Sequence, residues 1–251
     1  MKMSQIFLLH LYSNAFLRYL LAKGRKTSYQ IMSNVPYIDF HCHSYSENYI
    51  DVLEIVSTDP SRNVADGLHT IGFHPWWHLE VLTVEDISHL KKHILAKKTC
   101  LAVGECGLDK FQGGDLELQI HNFELQIQLA NELQLPLIVH CVRKYDAILQ
   151  LFKKHAKTTW VIHGFKRDQG LATKMVDQGI RLSVAPHENM TTVFEACLKS
   201  LPLEMIHLET DSDRRTSIQE RYQIMADLRQ DPVDEIRLKM YDNTKSLFIR
   251  M

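Results

Sequence analysis

Short apolar segments that alternate with segments of helical periodicity are the feature that most constrains the fold of this chain. Near-continuous apolar runs, such as residues 135–139 (Leu-Pro-Leu-Ile-Val), are typical of strands buried on both faces of a parallel sheet. Eight segments are predicted to be β-strands: Tyr37–His43, Ile50–Ser57, Leu68–Trp76, Cys100–Asp109, Leu135–Cys141, Thr159–Phe165, Ile180–Ala185 and Met205–Asp211.

Helices are predicted between the later strands. Thr83 followed by Asp86 resembles a helix start with a capping threonine and an acidic first turn. The other predicted helices are Asp115–Gln134, Tyr145–Ala156, Gln169–Gln178, Thr191–Leu201, Ile218–Arg229 and Pro232–Ile249. Strands and helices alternating over 251 residues predict an α/β protein with a TIM (β/α)8 barrel, for which roughly 250 residues is typical.

The connection between the first two predicted strands is the irregular point of this pattern. Only Ser44–Tyr49 separates them, which is too short for a crossover helix between parallel strands. Either the barrel is trimmed here or the second strand is assigned wrongly. The fold prediction is therefore a barrel whose first crossover helix is shortened or missing.

The overall composition is that of an ordinary globular protein. Hydrophobic residues make up 45% and charged residues 24%. No run approaches the roughly 18 apolar residues that a membrane-spanning helix requires. Lys and Arg number 29 against 30 Asp and Glu, which argues against a broad electrostatic grip on duplex nucleic acid but not against a small basic pocket. The 5 cysteines are scattered, which favours free thiols and a cytoplasmic location.

Residues 1–34 differ from the rest of the chain because they contain no acidic residue. Their basic and apolar character is compatible with a targeting segment or with a basic amphipathic helix. Met32 lies just before the first strand, so an upstream extension with a misassigned start is the alternative. We predict an N-terminal extension, residues 1–34, and a barrel domain, residues 35–251.

Polar side chains lie at the same end of most predicted strands. In a barrel the carboxyl ends of the strands converge at the face where active sites lie. His41 and His43 are one residue apart on a strand, so their side chains are expected to point the same way. The candidate metal ligands are His41, His43, Glu105, His140, His163 and Asp211.

This set of donors suits a metal-dependent reaction. Four imidazoles and two carboxylates are enough for two divalent ions, with Glu105 as the bridging ligand. Mixed nitrogen and oxygen ligation suits Zn²⁺, Mn²⁺ or Fe²⁺ better than the all-oxygen shell that Mg²⁺ prefers. Two ions would activate water and stabilise the attacking and leaving oxygens. Asp211 would then ligate one ion and accept the proton of the water.

Six motifs in this order resemble the TatD family of metal-dependent hydrolases. They are Phe40-His-Cys-His43, Gly72-Phe-His-Pro75, Gly104-Glu-Cys-Gly-Leu-Asp109, Leu135-Pro-Leu-Ile-Val-His140, Ile162-His-Gly-Phe165 and Glu209-Thr-Asp211. The resemblance covers about residues 36–250. It implies a TIM barrel of the amidohydrolase superfamily, a two-metal site and phosphodiester hydrolysis, typically as a deoxyribonuclease. It also implies that the six candidate ligands match those of the family and that His74 contacts substrate phosphate.

The chain departs from this family around the substrate. Arg143 follows His140 by three positions, where the family usually has an arginine two positions on. After Glu-Thr-Asp the family commonly has an apolar, proline-containing loop and an Arg-Asn-x-Pro motif. Here Ser212-Asp-Arg-Arg-Thr216 leads directly into a predicted helix. The motifs therefore predict an intact metal centre with a rebuilt substrate wall.

We predict a two-metal phosphodiesterase or deoxyribonuclease in which metal-activated water attacks the phosphodiester, with Asp211 as general base and Glu105 as a second catalytic residue. His74, Arg143 and Lys166 are predicted to bind substrate, and the two ions are Zn²⁺, Mn²⁺ or Mg²⁺. The expected substrate is DNA or a small phosphodiester, with no membrane span and no obligate protein partner. The alternatives are a metal-dependent hydrolase of a small ester, lactone or amide, and a non-catalytic barrel that serves as a binding module.

Several residues near the motifs admit two interpretations. Trp76 and Trp77 either stack on a base or pack at the barrel rim. Four cations either hold phosphate at the site mouth or are solvated loop charges: Lys166, Arg167, Arg214 and Arg215. Asp109 is predicted to be a loop cap or a group that supports a ligand rather than a ligand itself, and Glu209 is predicted to orient a ligand histidine.

Overall fold

The strands form one parallel barrel in chain order. The computed structural model describes residues 35–46, 51–61 and 67–248. The 8-stranded sheet runs β1 (Tyr37–Cys42), β2 (Val52–Thr58), β3 (His69–Ile71), β4 (Cys100–Asp109), β5 (Leu137–Val142), β6 (Trp160–Ile162), β7 (Arg181–Val184) and β8 (Ile206–Leu208). The predicted strands and the predicted TIM barrel are confirmed, and most strands are a few residues shorter than predicted.

The barrel closes between its first strand and the segment after its last. Cys42 and Asp211 form a parallel bridge, and the Asp211 N–H donates to the His41 carbonyl at 2.9 Å. Closure therefore depends on the short segment that carries Asp211, just beyond the end of β8. The same contact brings Asp211 next to the histidines at the end of β1.

The helices of the described residues follow the later strands, as predicted. They are α1 (Val84–Ala96), α2 (Leu116–Leu133), α3 (Tyr145–His155), α4 (Gln169–Val176), α5 (Thr192–Ser200), α6 (Ile218–Arg229) and α7 (Val233–Phe248). The predicted start of α1 is confirmed: Thr83 Oγ1 accepts from Asp86 N at 3.2 Å, and Asp86 Oδ2 accepts from Thr83 N at 2.7 Å. This reciprocal pair satisfies donors that would otherwise lack partners in the first turn.

The first two crossovers lack the usual helix wherever they are described. Residues 43–51 connect β1 to β2, and residues 59–68 connect β2 to β3. The described parts of both connections contain only bends, turns and irregular backbone. This confirms the second predicted strand, and the described part of the first connection agrees with a first crossover helix that is shortened or missing. The predicted extension, residues 1–34, lies outside the described residues.

Apolar side chains fill the barrel beneath the strand ends. Phe40, Leu101, Ile138 and Val161 form a buried cluster that includes Phe248 at the end of α7. Ile138 and Val161 each lie two residues before a candidate histidine ligand, so alternation along the strand turns both toward the interior. The core therefore fills one end of the barrel and leaves the carboxyl end to polar residues. Among the described helices, none is long and apolar enough to cross a bilayer.

His207 is a buried histidine in this apolar end. Its ring stacks on Phe40 with centroids 4.0 Å apart, and its Nδ1 lies 3.2 Å from Thr244 Oγ1. Its Nε2 has no hydrogen-bond partner in the described part of the chain. Burial, together with the nearby charge of Arg181, lowers the pKa of His207 well below its usual value. The folded protein therefore holds this imidazole neutral.

We expect His207 to make the protein less stable in acid. Below about pH 6.5 the unfolded chain protonates this histidine and the folded chain does not, so the free energy of unfolding falls as the pH falls. Between pH 6.5 and 5.5 the wild type should lose about 1 kcal/mol more than His207→Leu. Denaturant titrations at both pH values measure this difference. His89→Asn, which removes an exposed histidine of α1, serves as the control and should behave as the wild type. Equal losses in wild type and His207→Leu would contradict the prediction.

Candidate metal centre

Glu105 of β4 lies at the centre of the polar cluster and is 3% exposed. Its two oxygens face different imidazoles. Oε1 lies 2.7 Å from His163 Nε2 and 2.9 Å from both His74 Nε2 and His140 Nδ1. Oε2 lies 3.3 Å from His41 Nε2 and 3.8 Å from His43 Nε2. One carboxylate thus contacts two groups of histidines.

The glycines that flank Glu105 explain its position. The register of β4 against β5 shifts between Val103 and Cys106, and a bulge of this kind re-aims side chains. A Cβ on Gly104 would lie 2.4 Å from the Ile138 carbonyl oxygen, and one on Gly107 would lie 2.0 Å from the His140 carbonyl oxygen. Only glycine allows β4 to approach β5 this closely, and the approach brings Glu105 against His140.

His43 and Asp211 form the open side of the site. His43 Nε2 lies 3.0 Å from Asp211 Oδ1, and the His43 ring is 5.2 Å from the ring of His41. The side chains of His43 and Asp211 are 32% and 37% exposed, in contrast to buried Glu105. Burial by itself would raise the pKa of Asp211, but the hydrogen bond with His43 and the charges of His163 and His41 lower it to about 2. Asp211 is therefore an ionised carboxylate that faces solvent.

The charges of the cluster are mutually dependent. Burial by itself would raise the pKa of Glu105, but the charge of His163 and hydrogen bonds from His140 and His163 hold it well below its usual range. Burial would lower the pKa of His163, but the charge of Glu105 raises it well above its ordinary value. Burial lowers the pKa of His74, against the opposing effect of Glu105. The anionic form of Glu105 and the protonated form of His163 therefore stabilise each other.

Two further carboxylates support the histidines, as the sequence predicted of Asp109 and Glu209. Asp109 Oδ2 lies 3.0 Å from His140 Nε2 and accepts from Trp76 Nε1 at 2.8 Å. Glu209 Oε1 accepts from Gly164 N at 2.7 Å and lies 3.7 Å from Nδ1 of His163. Hydrogen-bonded carboxylates behind an imidazole fix its orientation.

His74 belongs to the buried cluster around Glu105 rather than to the exposed rim of the site. It is buried and directly contacts Glu105, and His74, Glu105 and His140 form one of the groups that could hold a metal ion. The sequence motifs placed His74 among the substrate-binding residues. Like the candidate ligands, His74 lies near the carboxyl end of a predicted strand. This position could have indicated that His74 belongs to the same cluster.

The donor set fits a divalent cation. His41 Nε2 and His163 Nδ1 are buried and lack a hydrogen-bond partner among the residues described. Leaving a buried polar atom unpaired costs about 1–3 kcal/mol, which a bound cation would offset at His41. The groups that include these candidates have ligand atoms within 4.8 Å of one another: His41, His43 and Asp211; His41, Glu105 and His163; His74, Glu105 and His140. Imidazole and carboxylate donors suit zinc or manganese.

A further group, Asp39 with Cys42 and Glu54, has metal-like spacing but no need of an ion. The Asp39 carboxylate accepts from Thr210 N at 2.9 Å and from Thr210 Oγ1 at 2.6 Å. The Glu54 carboxylate accepts two hydrogen bonds from Ser46 at 2.8 Å. Because these oxygens already have donors, this group differs from the one around Glu105.

The cations near the site separate into different roles. Arg214 donates to the Ser44 carbonyl, to Ser46 Oγ and, at 3.3 Å, to Glu54, so it secures the loop that follows His43. Arg215 pairs with Asp213 at 2.8 Å and is exposed. Arg143 lines a cavity that Arg167 also lines, whereas Lys166 is exposed and lies outside the lining of that cavity.

The aromatic residues after β3 form part of the site rim. The Trp77 ring lies 4.7 Å from the His74 ring at an interplanar angle of 34°. The Trp76 ring lies 5.3 Å from the His140 ring, edge to face. Trp76 and Trp77 are 38% and 42% exposed. Both rings therefore pack on candidate site histidines and also offer surface to solvent.

Comparisons with known proteins agree with this geometry. A family model described as TatD related DNase matches residues 60–249. The uncharacterized metal-dependent hydrolase YjjV of Escherichia coli K12 is 29% identical over 223 residues, which cover 81% of this chain and 83% of the relative. A protein of Pantoea ananatis named 3'-5' ssDNA/RNA exonuclease TatD is 28% identical over 150 residues, or 57% of this chain and 56% of the relative.

Solved structures support the same assignment. The crystal structure of E. coli YjjV superimposes with a TM-score of 0.69 at 26% identity and covers 84% of this chain and 97% of its own. A TatD family hydrolase from Entamoeba histolytica, at 16% identity, shares the fold with a TM-score of 0.70 over 85% of this chain and 98% of its own. The predicted resemblance is confirmed, and the chain belongs to the TatD-related DNase family of metal-dependent hydrolases.

Proposed function

We propose that this protein hydrolyses phosphodiester bonds of a nucleic-acid strand with two divalent cations. The observation that carries the proposal is the position of Glu105, whose Oε1 and Oε2 face separate groups of imidazoles. The proposed ligands are His41, His43, Glu105, His140, His163 and Asp211, with His74 beside them. A carboxylate between two donor groups is suited to hold two cations near one another.

Bound divalent cations supply Lewis acidity, which lowers the pKa of water and offsets the negative charge of a phosphodiester. The residues of the chain supply orientation and proton transfer. Asp211 is ionised at neutral pH and open to solvent, so its carboxylate is able to accept a proton from the attacking water. His43, bonded to the same carboxylate, orients it. Asp109 holds His140 in place from behind at 3.0 Å, and Glu209 faces His163 from behind at 3.7 Å.

The rim favours an extended nucleic-acid substrate over a small ester, lactone or amide. The half-exposed rings of Trp76 and Trp77 offer surface on which a base stacks, an interaction worth about 1–3 kcal/mol per base. The His43 and Asp211 side is open to solvent, which suits a strand rather than a small, enclosed substrate. The exonuclease name of the Pantoea ananatis relative points in the same direction.

Metal reconstitution tests this function. Protein stripped with a chelator should be inactive, and Mn²⁺, Zn²⁺ or Mg²⁺ should restore hydrolysis of short single-stranded DNA and of a chromogenic phosphodiester. Isothermal titration should report two cations per chain. His41→Ala should lower the rate by orders of magnitude, whereas the control His89→Ala removes an exposed histidine and should keep wild-type activity.

The result that would overturn the proposal is equally specific. If the reconstituted protein cleaves carboxylic esters, lactones or amides but no phosphate ester, the small-substrate hydrolase is the correct function. If it binds metal and cleaves none of these substrates, the barrel acts as a binding module.

A further inference from the structure

We propose that a cationic pocket between the β5–α3 and β6–α4 connections binds a second phosphate group of the substrate strand, beside the phosphodiester that is cleaved. The proposal rests on the proposed function and extends it, because it makes the preferred substrate one with at least two phosphates. The pocket is separate from the candidate metal ligands. Its charge, shape and position each support the assignment.

The pocket is a cavity of about 470 Å³, within the range of small-ligand sites. The residues that line it include Arg143, Lys144, Tyr145 and Arg167, together with the apolar residue Leu171. The guanidinium of Arg167 lies 6.0 Å from the centroid of the Tyr145 ring, which packs edge to face on Phe165 at 5.9 Å. The cavity therefore combines cations, which suit a phosphate group, with an aromatic and apolar wall, which suits the sugar attached to it.

The pocket has an excess of positive charge. In the described part of the chain, no carboxylate forms an ion pair with Arg143, Lys144 or Arg167. Two carboxylates line the pocket with these three cations, which leaves an excess of one positive charge. Asp146 pairs with Lys174 at 2.8 Å, and Asp168 accepts from Leu171 N at 3.0 Å as the cap of α4.

This excess is local, because the whole chain has a formal net charge of −1. Guanidinium groups bind phosphate oxygens through paired, charge-assisted hydrogen bonds, so an anion with several oxygens matches these donors. The first turn of α3 adds backbone N–H groups, because Lys144 gives the helix no side-chain cap. These donors complement the arginines but do not define the site.

The position of the pocket links it to the reaction. Arg143 follows His140 in the connection that leaves β5, and Arg167 follows His163 in the connection that leaves β6. The β6–α4 connection begins at His163, and the β5–α3 connection begins three residues after His140, so the pocket opens at the same end of the barrel as the metal centre. Arg143 adopts a left-handed backbone with φ of 58°, an uncommon conformation for a residue other than glycine. Because the pocket and the metal centre share this end of the barrel, a strand bound at the metal centre would present a neighbouring phosphate to the pocket.

The test compares charge-neutralising variants on substrates with one phosphate and with several. Arg167→Gln and Arg143→Gln are assayed as metal-loaded proteins on a chromogenic phosphodiester and on a short single-stranded oligonucleotide. The ratio of kcat/KM for the oligonucleotide to that for the chromogenic ester should fall about tenfold in each variant. The slope of log KM against log salt concentration should become shallower by roughly 0.7 for each phosphate that the variant no longer binds.

Lys153→Gln is the matched control. It removes the same charge from an exposed position in the last turn of α3, at the far end of that helix, and should leave the ratio and the salt slope as in the wild type. Arg167→Lys should recover part of the ratio, since it restores charge without the paired donors. Oligonucleotides with and without a 5'-phosphate separate the two sources of the second phosphate: a decrease confined to the phosphorylated form assigns the pocket to a strand end, and a decrease on both assigns it to an internal phosphate.

The outcomes also separate this proposal from the proposed function. If the wild type cleaves both substrates and Arg167→Gln keeps the wild-type ratio, the pocket proposal is wrong and the phosphodiesterase remains. If the wild type cleaves neither substrate, the proposed phosphodiesterase function is wrong. A binding measurement then tests the pocket proposal. Fluorescence anisotropy of a labelled oligonucleotide with metal-free protein should then show affinity that Arg167→Gln lowers about tenfold and Lys153→Gln does not. Equal affinity in all proteins overturns the pocket proposal.

Discussion

Replacing Glu105 by glutamine is expected to weaken metal binding by roughly 10²- to 10³-fold, the effect of removing one partner from a buried charged pair. Hydrolysis should fall with it, because the uncharged amide is unable to bind cations on both sides. The substitution keeps the size of the side chain, so the decrease reports charge rather than packing. Isothermal titration of metal into the stripped protein, together with the rate at saturating metal, measures both effects.

The structure explains why this one residue has the largest effect. Its oxygens are within 2.7–3.8 Å of nitrogens from β1 and β5 and from the segments that follow β1, β3 and β6. Burial opposes its ionisation, yet the charge of His163 and the hydrogen bonds from His140 and His163 keep the pKa of Glu105 well below the ordinary range. Glu105 stays ionised although it is only 3% exposed, and a buried negative charge of this kind favours binding of a cation.

Asp59→Asn provides the control for this experiment. Asp59 is also buried at the end of a strand and also pairs with a histidine, since its Oδ2 lies 2.9 Å from His78 Nε2, but it lies outside the groups of candidate ligands. The control should bind metal with wild-type affinity. If Glu105→Gln binds both cations as tightly as the wild type does, its assignment as a shared ligand is wrong.

Asp211→Asn is expected to lower kcat by about 10²- to 10⁴-fold, the range for removal of a group that transfers a proton in the transition state. Its effect on metal binding should be smaller than that of Glu105→Gln, because Asp211 contacts only the His43 side of the site. Single-turnover rates at saturating metal separate the missing proton transfer from weakened binding. Asp213→Asn removes an exposed carboxylate of the same loop, which pairs with Arg215, and should keep wild-type rates.

The stability of the metal-free protein gives a second test of the Asp211 environment. The pKa of Asp211 falls from an ordinary 3.8 to about 2 in the folded protein. A carboxyl whose pKa is lowered by folding stabilises the native state above its unfolded pKa, and this contribution disappears as the pH falls through its folded pKa. The wild type should therefore be more stable than Asp211→Asn at pH 5, and the difference should vanish toward pH 2. A constant difference across this range would contradict the predicted environment.

Much of the fold follows from local patterns in the sequence. The bounds of β4, Cys100–Asp109, and of α6, Ile218–Arg229, agree with prediction, because an apolar strand and a capped amphipathic helix are encoded by neighbouring residues. The polar residues at the strand ends also followed from sequence. Parallel strands in a barrel bring their carboxyl ends together, so a histidine at each end implies a cluster before any contact is known.

Simple alternation along a strand was less reliable. The register of β1 against β2 shifts between Asp39 and Cys42, and that of β4 against β5 shifts between Val103 and Cys106. A bulge changes which face a side chain occupies, and it depends on the partner strand rather than on the strand alone. The sequence therefore predicted which residues meet and that Glu105 is shared between two sets of ligands, but not which histidines face each of its oxygens.

The roles of the arginines were decided by tertiary contacts alone. Arg214 lies near Asp211 in sequence, and a phosphate contact was one interpretation of it. In the structure its guanidinium donates hydrogen bonds to the loop after β1 and to Glu54 instead. Arg143 and Arg167 are far apart in the chain and line one cavity. Strand and helix periodicity, helix caps and the polar strand ends were thus determined by the sequence itself, because they arise from the geometry of adjacent residues. The direction of each long, flexible cation was set by the folded structure, because it depends on which acceptors from distant segments come within reach.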